Sequence, residues 1–272
     1  MSERSLREIA REMRTDKEGA HSYADAYERH LGHLRERAIT LLEIGIGGYA
    51  DPERGGESLR MWKEFFPLAR IVGIDIHPKT GIAEDRIVVL QGDQSDPRFL
   101  DEVASRYGPF DVIVDDGSHV CAHVIASFMH LFGHLTEGGI YAIEDLQTSY
   151  WERTYGGSSG VDRSGTSMTF LQALTDGLNY AELDVPGYLP SALDLSVESV
   201  SFYHNLAFVE RGANRELSNR LPPHPRDRTF LALPAKARPA EPHVGPLRRA
   251  FRRAIPKPVR AALVRRLRGV AR

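Results

Sequence analysis

Cysteine is nearly absent from this sequence, and so are long apolar runs. The single cysteine, Cys121, cannot form an intrachain disulfide, so the 272-residue chain must be stabilised by a buried core. No apolar run approaches the ~20 residues that a membrane-spanning helix needs, and residues 1–18 are charged throughout, unlike a secretory signal. With 42% hydrophobic and 26% charged residues, the composition excludes a collagen, a coiled coil and a wholly disordered chain. We expect a soluble protein of the cytoplasm.

Acidic residues are absent from the C-terminal end of the chain, beyond Glu241. Ten of the 35 basic residues follow that position, so the overall charge of −2 leaves −12 on the preceding body. Apolar residues recur at helical spacing among the cations of this tail, residues 247–272: Val259, Leu263, Leu267 and Val270. Such a helix favours an anionic surface, which suggests peripheral contact with the inner face of the membrane; docking on the acidic body is the alternative. Nucleic acid is not expected as a partner, because Phe251 is the only aromatic residue available for base stacking.

Continuous apolar strands alternate with helical segments through the middle of the chain. The pattern predicts strands at residues 39–44, 71–74, 87–90, 110–114 and 140–143, and helices at residues 2–14, 99–107 and 120–135. This alternation is typical of an α/β fold, here a Rossmann-like, doubly wound and mainly parallel sheet. A helix at 168–180 and a strand pair at 197–203 and 207–210 complete the prediction, and residues 146–165 are expected to form a long mobile loop.

The same pattern divides the chain into four regions. Residues 1–38 are a short N-terminal helical cap or lid, and residues 39–220 are the α/β domain. Seven prolines between Pro222 and Pro246 make residues 221–246 an irregular connector, which leads into the basic tail, residues 247–272.

Carboxylates lie at the ends of all of the first five predicted strands: Glu43, Asp75, Asp93, the pair Asp115-Asp116 and the pair Glu144-Asp145. In a doubly wound sheet, the carboxyl ends of the strands border the ligand site. So many negative charges at one edge would repel one another unless they bound donors or cations. The alternative is that each acid caps the helix that follows it, which is common for one acid but less expected for all five strand ends.

A glycine-rich turn follows the first strand. Its spacing, Gly45-x-Gly47-x-x-Ala50, also fits the dinucleotide fingerprint, but residues 51–56 (DPERGG) would break the helix whose N-terminus holds a pyrophosphate. Glu43 beside the glycines would repel a pyrophosphate and attract a sulfonium, so the turn favours S-adenosylmethionine. Asp75 then has the position of the ribose-binding acid, and residues 92–94 have that of the adenine contact.

Three carboxylates at adjacent strand ends, those of Asp116, Glu144 and Asp145, are placed to converge on one cation. Ligands that are all oxygen favour a hard ion, with Mg²⁺ as the best candidate. His119, three residues beyond Asp116, would stand beside that ion as a proton acceptor. A zinc site is the alternative, built from two histidine pairs at helical spacing: His119/His123 and His130/His134.

A segment rich in aromatic and hydrogen-bonding side chains comes directly after these ligand candidates. Aromatic rings beside polar groups suit the apolar face and the hydroxyl rim of a sugar. We therefore assign four of its residues to substrate binding: Gln147, Tyr150, Trp151 and Tyr155. The alternative is that Trp151 and Tyr155 only attach the loop to the body.

Five motifs carry a family resemblance: LLEIGIGGY, GGESLRMWKEFFP, GDQSD, DVIVDDGSH and IEDLQTSYW. They resemble those of the metal-dependent sugar O-methyltransferases of the mycinamicin and demethylmacrocin type, within the class I S-adenosylmethionine-dependent methyltransferases, over residues 12–210. The resemblance implies that Asp116, Glu144 and Asp145 bind magnesium and that Asp116 and His119 form the catalytic pair. Residues 15–17 (TDK) resemble the segment that covers the cofactor in this family. The cofactor site that we assign comprises Thr15, Lys17, Glu43, Gly45, Gly47, Tyr49, Ser58, Asp75, Asp93, Gln94 and Asp115.

These observations lead to one functional hypothesis. It is the Mg²⁺-dependent transfer of a methyl group from S-adenosylmethionine to a sugar hydroxyl of a glycosylated natural product, glycolipid or saccharide. The metal lowers the pKa of the hydroxyl, His119 removes the proton, and the oxygen attacks the methyl group in line with the sulfonium. A nicotinamide-dependent oxidoreductase on the same fold and a non-catalytic binding module are the alternatives. We expect a homo-oligomer.

Overall fold

A seven-stranded sheet lies at the centre of the computed structural model, which describes residues 4–160 and 164–218. Its strands are β1 (Thr40–Ile44), β2 (Arg70–Asp75), β3 (Ile87–Gln91), β4 (Phe110–Asp115), β5 (Leu135–Ile143), β6 (Val197–Tyr203) and β7 (Leu206–Arg211). All seven predicted strands are present, with ends that differ by a few residues. The predicted connector (221–246) and basic tail (247–272) lie outside the described residues.

The strands lie side by side in the order β3-β2-β1-β4-β5-β7-β6. Strands β1 to β5 pair in parallel, and β7 lies antiparallel between β5 and β6. The chain changes direction across the sheet between β1 and β4, and doubly wound sheets bind their ligands at such a switch point, outside the carboxyl ends of the strands. The prediction of a Rossmann-like, doubly wound and mainly parallel sheet is confirmed.

Helices cover both faces of the sheet. They are α1 (Leu6–Met13), α2 (Ala24–Leu31), α3 (Glu57–Phe65), α4 (Pro97–Tyr107), α5 (Cys121–Leu131), α6 (Glu152–Tyr155) and α7 (Ser167–Leu178). Apolar side chains of α4, α5 and α7 pack on one face, and those of α1, α2 and α3 pack on the other. Successive strand residues point to opposite faces, so Leu42 belongs to the first core and Leu41 to the second. Because both faces are covered, the parallel strands are apolar without alternation.

The segment predicted as an N-terminal cap contains α1 and α2. Ser5 begins α1 with a capping box that it shares with Glu8. The ring of Tyr27, on α2, is completely buried and meets Trp62 of α3 and Phe208 of β7 edge to face. This packing fixes the N-terminal segment against the sheet, beside the carboxyl ends of the strands.

Some elements differ from the sequence prediction. Residues 146–165 are not a featureless loop, since they contain a 3₁₀ turn at Leu146–Tyr150 and the single-turn helix α6; turns this short leave no hydrophobic period to detect. The pattern also misses α2 and α3, which are eight and nine residues long and begin without a side-chain cap. Within the described ranges, no helix has the length and apolar character needed to cross a bilayer.

Candidate active site

The carboxyl ends of β1, β4 and β5 lie side by side. The register pairs Ile44 with Asp115 and Asp115 with Ile143. The ladder continues beyond the strands, because the Asp116 amide donates to the Ile44 carbonyl (2.9 Å) and the Glu144 amide donates to the Asp115 carbonyl (3.0 Å). Asp116 and Glu144 are therefore neighbours at the sheet edge, as the strand pattern predicts.

The side chain of Lys17 reaches this edge from the N-terminal segment. Its Nζ lies 2.7 Å from Glu144 Oε1, 2.8 Å from Asp116 Oδ2 and 3.3 Å from Glu43 Oε1. Burial of this side chain opposes its charge, but the three carboxylates raise the pKa of Lys17 well above its ordinary value. Lys17, assigned from the sequence to the cofactor, thus also contacts two of the residues assigned to the metal.

Two tyrosines of the same segment donate hydrogen bonds to the metal-ligand candidates. Tyr27 Oη donates to Glu144 Oε1 (2.5 Å), and Tyr23 Oη donates to Asp145 Oδ1 (3.0 Å). Burial, followed by the neighbouring carboxylates, raises the pKa of both phenols, so both remain donors at neutral pH. The sequence analysis assigns neither tyrosine a role. Their four-residue spacing, which places both on the same face of a helix, is the one sequence feature that could have indicated a shared role.

Burial also raises the pKa of the two carboxyl groups that Lys17 contacts most closely. The effect is large for Glu144, where the charge of Asp116 adds to it, and Lys17 opposes it in both groups. The pair would therefore hold a proton at neutral pH more readily than ordinary carboxyl groups, unless a further cation stabilised the ionised forms.

His119 stands beside the same carboxylates. Its Nε2 lies 4.0 Å from Asp116 Oδ1 and 3.8 Å from Asp145 Oδ2, which are not the oxygens that Lys17 and Tyr23 contact. The imidazole is partly exposed. A proton acceptor needs such a position, next to the ligand carboxylates and open to a substrate.

Left-handed backbone conformations concentrate at this edge. His119, Asp145 and Asn205 have φ values of 54°, 53° and 62°, a region that residues other than glycine seldom adopt. The Asn205 carbonyl, in the turn between β6 and β7, accepts the Leu146 amide (3.0 Å) and so connects this turn to the one that carries Asp145. Strained backbone of this kind clusters at functional sites.

Glu43 lies near the end of β1, on the cofactor side of the edge. Both of its carboxylate oxygens are buried, and the Lys17 ammonium lies 3.3 Å from Oε1. Burial raises the pKa of Glu43 to about 7, although the Lys17 ammonium lowers it. A positively charged ligand group would stabilise the ionised carboxylate, so Glu43 fits a cationic cofactor.

The turn after β1 packs too closely for side chains. A Cβ on Gly45 would lie 2.2 Å from the Asp116 carbonyl oxygen, so a glycine is needed for the turn to pack against the end of β4. Asp75 holds the turn from β2, since its Oδ2 accepts the Ile46 amide (3.2 Å). The next helix, α3, begins only at Glu57, and no helix therefore opens directly from the turn as the dinucleotide fingerprint requires.

Asp115 lies inside the edge, with 1% of its surface exposed. Its carboxylate accepts hydrogen bonds from Ser127 Oγ (2.6 Å), Gln94 Nε2 (3.0 Å) and Tyr141 Oη (3.4 Å). Burial raises its pKa, against the effect of these donors. Gln94 Oε1 accepts the Ser118 amide (2.6 Å), which connects Asp115 to the DDGSH turn. These contacts of Asp115 and Gln94 are internal, and their assignment to the cofactor remains a prediction.

The remaining cofactor candidates occupy different parts of the edge: Thr15, Gly47, Tyr49, Ser58 and Asp93. Thr15 Oγ1 accepts the Lys17 amide (3.2 Å), and Asp93 Oδ1 accepts the Ser95 amide (2.7 Å). Tyr49 is 90% exposed, so the structure does not bring it to the buried cluster. The cofactor role of all five residues stays a prediction.

The substrate candidates lie on the exposed side of the edge. Trp151 is 50% exposed, and its ring centroid lies 5.7 Å from that of Tyr155; Tyr150 is 41% exposed. The Gln147 Oε1 atom is buried and has no hydrogen-bond partner among the residues described, and the assignment of Gln147 to the substrate remains a prediction. The exposure of Trp151 suits a ligand-facing surface better than a buried attachment point.

The histidine pairs of the zinc alternative have separate contacts. His123 Nδ1 lies 3.0 Å from Ser118 Oγ, and His130 Nε2 lies 2.7 Å from Asp101 Oδ1. His119 faces the acidic cluster instead. The structure therefore does not favour zinc bound by these histidines.

The acidic edge suits a hard divalent cation in its chemistry. Within residues 4–160 and 164–218, no three candidate side chains already form a metal cage, and Lys17 Nζ lies between carboxylate oxygens of Asp116 and Glu144. Asp116, Glu144 and Asp145 offer only oxygen donors, as Mg²⁺ prefers. When the positive charge of Lys17 is subtracted, the three carboxylates carry two negative charges, which would balance the charge of a divalent cation.

Sequence comparison relates the chain to curated enzymes, although no protein-family model matches it. It is 47% identical over 197 residues to mycinamicin VI 2''-O-methyltransferase of Micromonospora griseorubida. It is also 47% identical over 201 residues to 8-demethyl-8-alpha-L-rhamnosyl tetracenomycin-C 2'-O-methyltransferase of Streptomyces olivaceus, and 46% over 214 residues to demethylmacrocin O-methyltransferase of Streptomyces fradiae. These matches cover 72%, 74% and 78% of this chain but 49%, 53% and 54% of the relatives. The chain thus spans about half the length of the curated relatives it matches.

Structural comparison leads to the same group of enzymes. The MycE methyltransferase from the mycinamycin biosynthetic pathway, solved in complex with Mg and SAH, matches with a TM-score of 0.78 and 44% identity. The match covers 82% of this chain and 59% of that chain. Fold and sequence therefore relate the chain to the same enzymes. The chain belongs to the sugar O-methyltransferases of the mycinamicin and demethylmacrocin type, a family of class I S-adenosylmethionine-dependent methyltransferases.

Proposed function

We propose that this chain transfers a methyl group from S-adenosylmethionine to a sugar hydroxyl of a glycosylated small molecule, with Mg²⁺ bound by Asp116, Glu144 and Asp145. One observation carries the proposal: His119 Nε2 lies within 4.0 Å of two of these carboxylates, at the sheet edge that also holds Glu43. The sugar-directed activities of the relatives support the sugar acceptor, and MycE in complex with Mg and SAH supports the two cofactors.

The cofactor side of the proposal depends on buried acids. Glu43 is buried with a raised pKa, so the positively charged part of S-adenosylmethionine would stabilise its ionised carboxylate. Asp75 has the place of the ribose-binding acid in doubly wound sheets, and the bond to the Ile46 amide holds it in the glycine turn. Gly45 lets that turn pack against the end of β4.

The acceptor side depends on His119 and the ligand carboxylates. A bound Mg²⁺ supplies Lewis acidity, which lowers the pKa of a coordinated hydroxyl as it lowers that of water. His119 accepts the hydroxyl proton at Nε2, and the nearby oxygens of Asp116 and Asp145 stabilise the imidazolium that results. The buried segment that carries Lys17 and Tyr27 excludes water from the opposite side of the cluster.

The sugar itself would bind on the side of residues 147–155. The exposed ring of Trp151 and the partly buried ring of Tyr155 suit the apolar face of a pyranose. The amide of Gln147 is assigned to one of its hydroxyls. A lipid-linked or free saccharide would offer the same face and hydroxyls as a glycosylated natural product, so the acceptor is defined here by its sugar.

The test is methyl transfer from labelled S-adenosylmethionine to a panel of rhamnosyl, mannosyl and other glycosides, in EDTA and after Mg²⁺ is restored. We expect transfer to a sugar oxygen that EDTA abolishes and Mg²⁺ recovers. Asp116→Ala should stay inactive with Mg²⁺ present, whereas Asp101→Ala, which alters an acid paired with His130, should keep the parent rate. Transfer in excess chelator would contradict the metal role, and transfer to no glycoside would contradict the acceptor class.

Ligand protection separates this function from a nicotinamide-dependent oxidoreductase. S-adenosylhomocysteine should raise the melting temperature of the protein, because a ligand that binds only the folded state stabilises it. NAD should leave the melting temperature unchanged, since no helix follows the glycine turn directly to hold a pyrophosphate. Protection by NAD alone would favour the oxidoreductase.

A further inference from the structure

All three carboxylates assigned to the metal contact one short N-terminal segment, residues 17–27. The contacts are Lys17–Asp116 (2.8 Å), Lys17–Glu144 (2.7 Å), Tyr27–Glu144 (2.5 Å) and Tyr23–Asp145 (3.0 Å). Each contact uses one oxygen of a carboxylate and a donor that is buried under the cap. A segment that only covered the cofactor would not need to donate a hydrogen bond to each carboxylate assigned to the metal.

The donors are held in place by packing and by the backbone of the segment. The Tyr27 ring meets Trp62 and Phe208 edge to face, with centroids 5.0 Å and 5.2 Å away. The Tyr23 ring stacks on His21 at 4.6 Å, and its amide donates to the Lys17 carbonyl (3.0 Å). These contacts hold the donors in place independently of the carboxylates.

The two carboxylate oxygens of Asp116, and likewise those of Asp145, face different partners. Asp116 and Asp145 each direct one oxygen to the segment and the other towards His119 Nε2, at 4.0 Å and 3.8 Å. A hydrogen bond to one oxygen fixes the rotation of a carboxylate, and so it fixes the direction of the oxygen that remains for a metal.

We infer that residues 17–27 form the outer layer of the divalent-cation site, in which Tyr23 and Tyr27, together with Lys17, hold the three carboxylates in the orientation that binds the ion. The inference rests on the proposed function, because it takes Asp116, Glu144 and Asp145 as the ligands. The N-terminal segment is then part of the metal site, and the affinity for the cation depends on it.

The test measures binding of Mn²⁺, a paramagnetic substitute for Mg²⁺, to the full chain by electron paramagnetic resonance without substrate. Tyr23→Phe and Tyr27→Phe each remove one hydroxyl, and each should weaken Mn²⁺ binding about 10–100-fold. Tyr203→Phe is the matched control, because its hydroxyl lies 3.0 Å from His30 Nε2 and not at the acidic edge; its Mn²⁺ affinity should equal that of the parent. S-adenosylhomocysteine affinity, measured in parallel, should change in none of the three.

The outcomes separate this inference from the proposed function. If the parent binds Mn²⁺ and both Tyr→Phe variants bind it equally well, the inference is overturned and the proposed function stands. If the parent binds no Mn²⁺, the metal role itself fails and the inference falls with it. A parallel loss of Mn²⁺ and S-adenosylhomocysteine affinity would indicate general loosening and would also overturn it. Tyr23→Phe keeps the test valid if Tyr27→Phe does not fold.

Discussion

On the N-terminal side of the acidic edge of the sheet, Lys17, Tyr27 and Glu43 are completely buried. On the opposite side, Tyr150 and Trp151 are 41% and 50% exposed. Buried charges must be paired, because an unpaired ion in a medium of low dielectric constant is costly. The buried side is therefore held in one arrangement by several bonds per group. The exposed side leaves aromatic surface open to solvent, where a sugar could pack. The proposed function therefore assigns the chemistry and the choice of acceptor to different parts of the molecule.

The largest effect is expected from removal of His119, the proposed proton acceptor, which lies between the two sides. His119→Ala should lower kcat by about 10²–10⁴ while the affinities for cofactor and metal are retained, because the imidazole is assigned to neither. Steady-state kinetics and S-adenosylhomocysteine titration measure the two quantities. His33→Ala, on an exposed histidine, serves as the control. A near-normal rate for His119→Ala at neutral pH would show that another group takes the proton.

The next prediction concerns how much the ion pairs of the buried side contribute to the stability of the fold. Lys17→Met leaves Glu43, Asp116 and Glu144 buried without their cation, and it should lower the free energy of unfolding by about 3–5 kcal/mol in EDTA. Urea denaturation followed by circular dichroism measures this. Lys63→Met removes the partly exposed ion pair with Glu84 (2.9 Å) and should cost about 0–1 kcal/mol. Equal losses in the two variants would break the contrast between buried and exposed charges.

On the exposed side, a large aromatic ring is expected to act on substrate binding alone. Trp151→Ala should raise KM for the glycoside about 5–30-fold, ~1–2 kcal/mol, and leave the affinity for S-adenosylmethionine unchanged. Phe202→Ala removes an exposed aromatic residue of the edge strand β6 and should change neither. A loss of cofactor affinity in Trp151→Ala would show that the two sides are not independent.

The raised pKa of Glu43, on the buried side, predicts that the affinity for S-adenosylmethionine changes about tenfold with pH. Burial raises its pKa from 4.5 to about 7, so most of the carboxyl is protonated at pH 6 and most is ionised at pH 8. A cationic ligand favours the ionised form, and the affinity for S-adenosylmethionine should therefore rise about tenfold between these pH values. Calorimetric titration measures it. Glu43→Gln should remove the dependence, and a parent affinity that does not vary with pH would contradict the assignment.

The smallest expected effect concerns the charge contrast between the acidic body and the basic tail, residues 247–272. We propose that the tail binds anionic lipid, so the full chain should sediment with anionic vesicles at low salt and less at moderate salt. A form ending at Pro242 should remain in the supernatant. If the two forms behave alike, the tail does not bind the membrane, and docking on the body becomes the better account.

Much of this architecture could be predicted because parallel sheets leave strong local signals. The apolar runs at residues 39–44 and 110–114 locate β1 and β4, and the acids near their carboxyl ends lie at one edge because the strands are parallel. The roles of individual acids are harder to predict. Asp115 and Asp116 are neighbours in the chain, yet one is bonded inside the sheet edge and the other faces Lys17 and His119. Alternation along a strand places neighbours on opposite sides, but only packing decides what each side meets.

The strands, the edge at which the carboxylates gather and the position of His119 three residues beyond Asp116 could be predicted from local periodicity and from the geometry of a parallel sheet. The contacts of Lys17, Tyr23 and Tyr27 with those carboxylates could not be predicted, because they depend on the packing of distant segments. The partners are 99, 122 and 117 residues apart along the chain. Contacts between segments so distant leave no local pattern, since they exist only where the helices of the cap pack against the sheet and bury the donors beside the acids.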